Sequence, residues 1–327
     1  MPATIGADLT AAAEPLRPEL VVHCYRMLGS VPEAEDAVQE TMLRAWRAAD
    51  RYDETRASVR TWLYKIATNV CLTVLEGRAR RPLPTGLGAP STDPDAPLRP
   101  DFEVPWLQPL PDAYLRRDRR DPAERVTERH SVRLALVAAL QLLPPRQRAV
   151  LVLRDVLAFS AAEVAAQLET STASVNSALQ RARATLADAA PSEDELTDPD
   201  DPSVRATVER YVRAFEAADV DGLVNLLTAD VVLEMPPVPL WYRGPEDYGR
   251  FIARVFAMRG TGWRMLPLGA NGQPALAAYA PEIDGSLRLH TVQVLTVRRR
   301  GISRNVVFQD PRVCTAFDLT PLLGPAS

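Results

Sequence analysis

The stretch Thr172-Ala-Ser-Val-Asn-Ser-Ala-Leu-Gln-Arg-Ala-Arg-Ala-Thr-Leu186 carries the strongest structural signal in this chain of 327 residues. Its apolar residues recur at helical spacing and form one face, made of Val175, Leu179, Ala182 and Leu186. The opposite face is polar and cationic, with groups that can hydrogen-bond to base edges or phosphates. This face comprises Ser174, Asn176, Ser177, Gln180 and Arg181. An ordinary solvated helix would show the same pattern, so the preceding elements decide between the two interpretations.

The elements before this helix predict a helix-turn-helix. Ser160-Ala-Ala-Glu163 is a capping box that starts a helix, with Ser at N-cap and Glu at N3. Thr170-Ser171-Thr172 then supplies a turn and the next N-cap. Further upstream, Pro144-Pro145 ends one helix and begins another. Residues 130–188 are therefore predicted to form a small all-helical unit whose last helix reads DNA.

A second amphipathic helix lies near the amino terminus. Ser30-Val-Pro-Glu33 predicts a capping box, and the helix is expected to run from Glu33 to about Arg47. Its apolar face is predicted to hold Val38, Met42, Ala45 and Trp46. Its outer face bears Asp36, Gln39, Glu40 and Arg44. The spacing alone also suits an ordinary surface helix.

Aromatic and cationic residues are interleaved along a third helix, within residues 58–75. Its apolar face is predicted to hold Trp62, Ile66, Val70 and Val74, with Trp62 at least partly in the core. Rings among cations suit an opened DNA strand, because bases stack on rings while cations bind phosphates. The candidate strand-binding residues are Arg60, Trp62, Lys65, Asn69, Arg78, Arg80 and Arg81. The alternative is that the rings only pack inward.

Taken together, these helices resemble the extracytoplasmic-function (ECF) sigma factors of the sigma-70 family of RNA polymerase subunits. The resemblance in 130–188, which is to sigma region 4, is carried by Leu143-Pro144, Arg146, Arg148, Val150, Leu151, Ser160, Glu163, Val164, Ala165, Leu168, Ser171, Val175, Ser177, Leu179, Arg181, Ala182 and Arg183. The segment 34–46 looks like the family's helix that docks on the clamp of core polymerase. The segment 58–81 looks like the helix that holds the unpaired minus-10 element.

The resemblance implies roles for these residues. Asp36, Gln39, Glu40 and Arg44 would bind core polymerase, and the strand-binding candidates would hold the minus-10 strand. The minus-35 duplex would be read by Ser171, Thr172, Ser174, Asn176, Ser177, Gln180, Arg181 and Arg183. Two departures stand out. The family usually has Gly where this chain has Glu169, and it often has Lys or Arg where this chain has Asn176 and Ala178, which weakens nonspecific attraction to phosphates.

Composition narrows the class and the compartment. The formal net charge of −4 is unusual for a free-standing DNA binder but suits a protein that contacts DNA as a polymerase subunit. Lys65 is the only lysine among 38 basic residues. Cys24, Cys71 and Cys314 show neither a disulfide framework nor zinc spacing, so no metal or other cofactor is expected. With no signal peptide or membrane-spanning run, we expect a cytoplasmic protein that does not bind membranes.

Two connectors divide the chain. Residues 81–122 are rich in Pro and Asp and are predicted to be an extended linker, and residues 189–202 are strongly acidic. They separate a region 2 at 14–80, a region 4 at 123–188 and a third domain at 203–320. Trp106, within the first linker, is expected to dock rather than face water. A related sigma subgroup has a similar Trp-Leu-Pro motif there, which Gln108 interrupts in this chain.

Residues 203–320 change pattern to α+β. A first helix is followed by a strand at 231–235, a helix near 245–255, and strands near 273–279, 287–298 and 302–308. This order resembles the SnoaL-like, nuclear-transport-factor-like cone, in which a curved sheet encloses an apolar pocket. The candidate pocket residues are Met235, Trp241, Tyr242, Phe251, Trp263, Tyr279, His290 and Gln293. Glu234, next to Met235, is expected to point to the other face.

That fold includes isomerases and cyclases, but its presence does not establish catalysis. His290 and Asp284 are the acid–base candidates, and neither lies in a motif that assigns a role. We therefore predict a three-domain ECF sigma factor that is not an enzyme and whose cone, with or without a small ligand, acts in cis by packing against the linker and region 4. The alternatives are an effector-responsive helix-turn-helix regulator and a SnoaL-type cyclase or isomerase carrying a DNA-binding module.

Overall fold

The structure, a computed structural model, describes residues 11–116, 129–189 and 199–324. The chain divides into two compact units. The first contains Met1–Arg81 and Asp112–Ala190, and the second contains Pro82–Pro111 and Pro191–Ser327. The predicted class is confirmed, with all-helical parts followed by an α+β domain. Most of the predicted linker belongs to the second unit.

The first unit is helical throughout its described residues. Its helices are α1 (Arg17–Leu28), α2 (Val31–Arg47), α3 (Val59–Val74), α4 (Ala113–Arg116), α5 (Leu134–Leu140), α6 (Pro145–Leu151), α7 (Ala161–Gln167) and α8 (Thr172–Ala189). A π-helical turn, Val152–Val156, extends α6. As predicted, one helix ends before Pro144 and the next begins with Pro145. No helix of the described residues is both long and apolar enough to cross a membrane.

Two Ser-x-x-Glu sequences precede helices, and only one forms the predicted capping box. Ser160 Oγ accepts from the Glu163 amide at 3.2 Å, and Glu163 accepts from the Ser160 amide at 2.7 Å. Ser30 makes no side-chain cap bond at the start of α2, so the prediction there was wrong. Glu33 accepts instead from Arg78 and Arg81, both at 2.7 Å. Charged partners from another segment hold this carboxylate more strongly than a neutral backbone amide does.

The buried faces of α2 and α3 differ from those predicted. On α2, Val38 and Ala45 are buried as predicted, but Met42 is half-buried and the Trp46 side chain is 64% exposed. On α3 the buried residues are Leu63, Tyr64, Ala67, Thr68, Val70 and Cys71, while Trp62, Ile66 and Val74 are half-buried. The small residues Ala67 and Cys71 are fully buried. The face of α3 that packs most closely therefore carries small side chains and lies beside the face with the bulkiest ones.

Small polar contacts cross the α1–α3 interface. Cys24 and Cys71 are far apart in sequence but neighbours in the fold, and burial, with a further contribution from the Cys24 thiol, raises the pKa of the Cys71 thiol. His23 Nε2 lies 3.0 Å from Thr68 Oγ1, and the His23 ring meets the Tyr64 ring edge-on at 5.1 Å. Burial, with smaller contributions from the charges of Arg26 and Arg60, lowers the pKa of His23 to about 3.

The second unit is built on one curved sheet. Its strands are β1 (Leu227–Met235), β2 (Val238–Arg243), β3 (Arg264–Ala270), β4 (Gln273–Pro281), β5 (Leu287–Arg298), β6 (Gly301–Phe308) and β7 (Leu322–Leu323). The sheet order is β2-β1-β6-β5-β4-β3, with β7 on β5, and only β1–β6 is a parallel pair. The sequence indicated parts of β1, β4, β5 and β6 but not β2 or β3.

Helices cover one face of this sheet. They are α9 (Pro202–Glu216), α10 (Val220–Val224) and α11 (Pro245–Arg259), and α12 (Pro311–Ala316) follows β6. The main core lies between these helices and the sheet, around residues such as Phe215, Leu233, Phe251 and Leu295. A smaller cluster on the opposite face contains Ala277, Tyr279 and Leu287.

We predict that acid destabilises the first unit through His23. Its pKa of about 3 in the fold lies below the ordinary value near 6.5, so the unfolded chain binds more protons between these limits. The contribution of neutral His23 to the free energy of unfolding is therefore complete above pH 6.5 and is lost as the pH falls toward 3. Between pH 7 and pH 5 the loss from this one group is about 2 kcal/mol.

The measurement is the free energy of opening of α1 and α3 amides by hydrogen exchange at both pH values, corrected for the intrinsic exchange rate. His23→Gln should show a pH dependence smaller by about that amount, since other titrating groups are common to both proteins. Equal losses in the two proteins would contradict the assignment.

Candidate functional site

The last helix of the helix-turn-helix presents the predicted face to solvent. Its apolar residues Val175, Leu179, Ala182 and Leu186 are buried. The candidate duplex-reading residues are all exposed, and they are Ser171, Thr172, Ser174, Asn176, Ser177, Gln180, Arg181 and Arg183. The local fold thus leaves amide, hydroxyl and guanidinium groups on one accessible surface, which we call the recognition face.

The residues of the recognition face are not equally available. Ser171 Oγ accepts from the Ser174 amide at 3.2 Å and so caps α8. Arg183 forms a two-point ion pair with Asp155, at 2.7 and 2.9 Å, and these hydrogen bonds raise the pKa of Arg183. Arg181 donates at 2.6 Å to the neutral hydroxyl of Ser177. A phosphate must displace a carboxylate at Arg183 but only a hydroxyl at Arg181.

The cationic face of α3 is engaged by protein groups. Arg60 Nε donates to the buried Glu19 carboxylate at 3.0 Å, and its guanidinium lies 4.9 Å from the centre of the Tyr64 ring. Lys65 Nζ lies 3.3 Å from Glu169 Oε1. Trp62 and Asn69 are half-buried, and the Trp62 ring lies 5.0 Å from that of Tyr52 with the planes tilted by 39°; Tyr52 was not among the predicted residues. Beyond α3, Arg78 and Arg80 are exposed and Arg81 is half-buried.

The outer face of α2 combines charge with exposed apolar groups. Asp36 and Gln39 are exposed, and Arg44 pairs with Glu40 at 2.6 Å. Leu43 is 40% exposed, and Trp46 lies one turn farther along the helix. Neither was predicted to lie on this face. Leu43 lies seven residues after Asp36 and four after Gln39, so helical spacing predicts that it shares their face.

The cone interior contains most but not all of the predicted pocket residues. Met235, Tyr242, Phe251 and Trp263 are in its apolar core. His290 is half-buried with its ring 5.5 Å from that of Trp263, and burial, with the charge of Arg259, lowers its pKa to about 4.

Trp241 and Tyr279 were assigned wrongly to the interior. Trp241 pairs with Glu234, and its indole donates to the carbonyl of Gly88 at 2.9 Å, away from the apolar core. Tyr279 belongs to the opposite cluster, and its hydroxyl donates to Thr320 O at 2.9 Å. Along β4, Leu276, Ala278 and Ala280 belong to the main core, so regular alternation places Ala277 and Tyr279 on the opposite face. The register shift at this point comes from His290, an extra residue on β5.

A buried polar cluster, not foreseen from the sequence, joins four elements of the cone, α9, α11, β5 and β6. Asn305 Nδ2 lies 3.1 Å from Tyr211 Oη, 2.9 Å from Tyr248 Oη and 3.1 Å from Gln293 Oε1. The Tyr211 hydroxyl also donates to Gln293 Oε1 at 3.0 Å. Burial raises the pKa of both tyrosines, so they remain hydrogen-bond donors. Asp284 is exposed and caps a turn at Ser286, so it supplies no acid to this interior.

The segment 82–111, which we call the docked linker, is bound to the cone by a buried ion pair. Glu234 is fully buried and accepts from Arg304 Nε at 2.8 Å and from the Thr85 amide at 2.9 Å. Arg304 also donates to Thr85 Oγ1 at 3.3 Å. Glu234 points away from the apolar interior, as its position next to Met235 predicted. The Glu234 carboxylate therefore binds the first turn of the linker through the backbone amide of Thr85.

Further bonds continue along the docked linker. The Ser91 amide donates to Trp241 O and the Asp101 amide to Pro237 O, both at 2.8 Å. Arg254 donates to the carbonyls of Pro94 and Ala96 at 2.7 and 2.8 Å. Leu110 and Asn271 exchange two bonds of 2.8 Å.

The docked linker also closes on itself. The Leu107 amide donates to Pro82 O at 3.1 Å. Trp106 is only 8% exposed, in agreement with the predicted docking, and its indole donates to Asp101 O at 2.6 Å. The two ends of the docked linker therefore lie close together.

Comparison with known families assigns all three parts. Residues 13–81 match the family Sigma-70 region 2, residues 133–186 match Sigma-70, region 4, and residues 208–310 match the SnoaL-like domain.

Two similar proteins cover nearly the whole chain. The ECF RNA polymerase sigma factor SigG of Mycobacterium tuberculosis is 50% identical over 316 residues, covering 95% of this chain and 84% of that protein. The sigma factor SigJ of the same organism is 30% identical over 317 residues, covering 94% and 89%. The crystal structure of SigJ superposes with a TM-score of 0.65 and 27% identity, covering 95% of this chain and 99% of that one.

We predict that the two arginines of α8 contribute differently to DNA affinity. Arg181→Ala should lower the slope of log affinity against log salt by about one unit, as expected for one lost phosphate contact. Arg183→Ala should change the slope less, because Asp155 already neutralises this guanidinium. Fluorescence anisotropy with a mixed-sequence DNA duplex, titrated from low salt, measures both slopes. Equal reductions would show that the Asp155 pair does not restrict Arg183.

Proposed function

Because the chain belongs to the ECF RNA polymerase sigma factors, we propose a division of labour among its three parts. The chain is an alternative sigma factor that directs core RNA polymerase to promoters. In the proposal, α2 binds the polymerase clamp, α3 holds the opened minus-10 strand and α8 reads the minus-35 duplex. The cone modulates these activities in cis. The protein acts in the cytoplasm, where polymerase and promoter DNA are found.

The exposed recognition face is the observation that best supports this proposal. Asn176 and Gln180 are exposed there, and their amides suit two-point hydrogen bonding to adenine in the major groove. Arg181 suits a phosphate or a guanine. The matching sigma regions on either side of the linker support the assignment of these groups to promoter reading rather than to an ordinary solvated surface.

The outer face of α2 has the composition of a protein-binding surface. Leu43 and Trp46 supply exposed apolar groups, and Asp36, Gln39 and Glu40 supply a polar surround. Binding energy in protein interfaces concentrates at such apolar centres, while the charged rim guides association. We assign this face to core polymerase.

We predict that charge reversal on this face weakens core binding. The double variant Asp36→Lys with Glu40→Lys should bind core polymerase about tenfold more weakly, because it places like charges beside Arg44 and removes the acidic complement to the partner. The measurement is co-purification and titration with core polymerase. The matched control is Glu54→Lys with Glu76→Lys, the same charge change at exposed residues outside α2. If the first variant binds as tightly as this control, α2 is not the polymerase-binding helix.

The docked linker provides the physical route for cis modulation. Regions 2 and 4 are joined by roughly 50 residues, of which docking immobilises about 30 and brings their ends together. By loop-closure entropy, a tether shortened in this way favours contact between the two regions by about 0.8 kcal/mol, roughly fourfold. Release of the linker therefore favours their separation. A small ligand of the cone would act by the same route if it bound the docked and released forms with different affinity.

The enzyme alternative lacks a supporting observation. Asp284 is exposed at a turn, and His290 lies beside the Trp263 ring, where burial and the charge of Arg259 lower its pKa to about 4. The interior tyrosines and amides hydrogen-bond to one another. A regulatory domain accounts for this arrangement better than a cyclase or isomerase does.

We predict that Arg254→Ala releases the middle of the linker. The change removes two charge-assisted bonds to linker carbonyls without leaving a buried charge unpaired. Hydrogen exchange in residues 86–105 should accelerate at least tenfold, and promoter-specific run-off transcription with core polymerase should rise by up to about fourfold. Arg250→Ala is the matched control, because Arg250 lies on the same helix and forms an ion pair with Asp247, one turn away on that helix. Accelerated exchange with unchanged transcription would refute regulation through the linker.

A further inference from the structure

Three consecutive arginines form the connection between β5 and β6 of the cone. β5 ends at Arg298 and β6 begins at Gly301, and these two residues pair across the strands, so Arg299 and Arg300 alone make the turn. Both of these arginines are exposed. Residues 298–300 are the only run of three basic residues in the chain. We call residues 298–301 the basic hairpin.

The base of the basic hairpin is fixed by its neighbours. Gly301 has a φ of 136°, and a Cβ at this position would collide with the carbonyl oxygen of Leu226. The amide of Ile302 donates to the same carbonyl at 2.8 Å. Glycine permits this close approach of two backbones, which ties the hairpin to the segment before β1. The two exposed arginines therefore extend from a rigid base, and a partner does not have to order the backbone on binding.

The charges around the hairpin are mostly positive. Arg298 Nη1 lies 3.3 Å from Asp230 Oδ2. The pKa of Asp230 is lowered chiefly by the neighbouring Thr228 side chain and also by the charges of Arg298 and Arg243. Arg243, the last residue of β2, is exposed and so adds a further cation at this end of the sheet.

The two arginines of the turn differ from the other cations that we assign to DNA. Arg60, Lys65 and Arg183 each have a carboxylate partner that a phosphate must displace. Within the part of the chain that the structure describes, neither Arg299 nor Arg300 has a carboxylate at ion-pair distance. A guanidinium binds a phosphate through parallel hydrogen bonds. Duplex DNA carries one negative charge per roughly 1.7 Å of its axis, so two adjacent exposed arginines can each reach a phosphate.

The length of the chain keeps the cone close to DNA that α8 holds. Residues 190–201 separate the end of α8 at Ala189 from the start of α9 at Pro202, and a segment of this length spans at most roughly 45 Å. Such a tether gives the cone an effective concentration at the DNA in the millimolar range, on the order of 10⁻³ M. Nonspecific contacts with dissociation constants of about 10⁻⁴–10⁻⁶ M are therefore formed once α8 is bound.

We propose that the basic hairpin binds the phosphate backbone of the duplex next to the minus-35 element, so that the cone is a second, sequence-independent DNA contact of this sigma factor. The placement beside that element rests on the proposed role of α8, whereas the affinity of the hairpin for phosphates does not. Phosphate contacts add affinity and fix orientation without reading sequence. The cone thus takes part in promoter binding in addition to its hold on the linker.

Duplex length separates the hairpin contact from that of α8. The measurement is fluorescence anisotropy of the full-length protein with mixed-sequence duplexes of about 10 and 30 base pairs at low salt. Arg299→Ala with Arg300→Ala should bind the longer duplex at least fivefold more weakly than the unmodified protein. Its slope of log affinity against log salt should be smaller by about two, one for each lost phosphate contact. On the shorter duplex, one helical turn that the helix-turn-helix occupies, the loss should be less than twofold.

The matched control is Arg205→Ala with Arg213→Ala, which removes two exposed arginines from α9 and should cost less than twofold on either duplex. An equal loss in this control would show that only net charge matters and would overturn the proposal. An equal loss of the hairpin variant on both duplexes would overturn its place on the flanking DNA. If the hairpin variant binds both duplexes normally but assembles poorly with core polymerase, the hairpin binds protein and the proposal is wrong.

Arg181→Ala distinguishes these failures from a failure of the α8 assignment. If Arg181→Ala weakens binding to both duplexes and the hairpin variant weakens neither, α8 binds DNA and the hairpin does not. If the hairpin variant weakens binding to the longer duplex and Arg181→Ala has no effect, the phosphate contact of the hairpin stands. The assignment of α8, and with it the placement beside the minus-35 element, is then wrong.

Discussion

The buried guanidinium of Arg148 is the interaction on which the closed arrangement of the helical regions depends. It is 3% exposed and donates to Gln141 Oε1 at 2.7 Å, to the carbonyls of Gln141 and Leu143 at 3.2 Å, and to Met27 O. Burial lowers its pKa to about 10, which leaves it charged at neutral pH. Region 4 supplies most of its acceptors and region 2 supplies one. Separation of the regions therefore replaces one carbonyl with water and leaves the rest of the site intact.

The other contacts between regions 2 and 4 share this replaceable character. An aromatic pair such as Tyr64–Phe159 contributes about 0.5–1.5 kcal/mol, and an exposed ion pair such as Lys65–Glu169 contributes about 1 kcal/mol or less. The linker effect of about 0.8 kcal/mol is of the same size. Because each of these other contacts contributes little, a modest change in how the cone holds the linker shifts the balance between regions in contact and regions apart.

Sequence reasoning identified the elements and families but not the contacts between distant segments. Helical spacing located the recognition face, and capping chemistry located the start of α7, because both depend on residues within a few positions of one another. The identical capping pattern at Ser30 and Glu33 failed because two arginines nearly 50 residues away bind the glutamate.

The same limit explains the other errors. Trp46 was placed in the core although its neighbours leave it exposed, and Tyr279 was placed in the interior although the face of β4 that meets the helices carries Ala278 and Ala280 instead. The linker's Pro and Asp content indicated an extended chain, and its bonds to Glu234, Arg254 and Asn271 depend on the folded sheet. Each of these outcomes depends on a partner that only the tertiary fold supplies.

The charge distribution of regions 2 and 4 also affects their binding to DNA. Five of the cations assigned to DNA are already paired with acids of the same unit: Arg60 with Glu19, Lys65 with Glu169, Arg78 and Arg81 with Glu33, and Arg183 with Asp155. A phosphate can use such a cation only by displacing its carboxylate, so the free energy of each contact is a difference between two ion pairs rather than the gain of one. This reduces attraction to arbitrary DNA, in keeping with the net charge of −4. Promoter binding must then draw on the contacts that polymerase and base-specific reading add together, because these acids weaken the attraction of the free chain to phosphates.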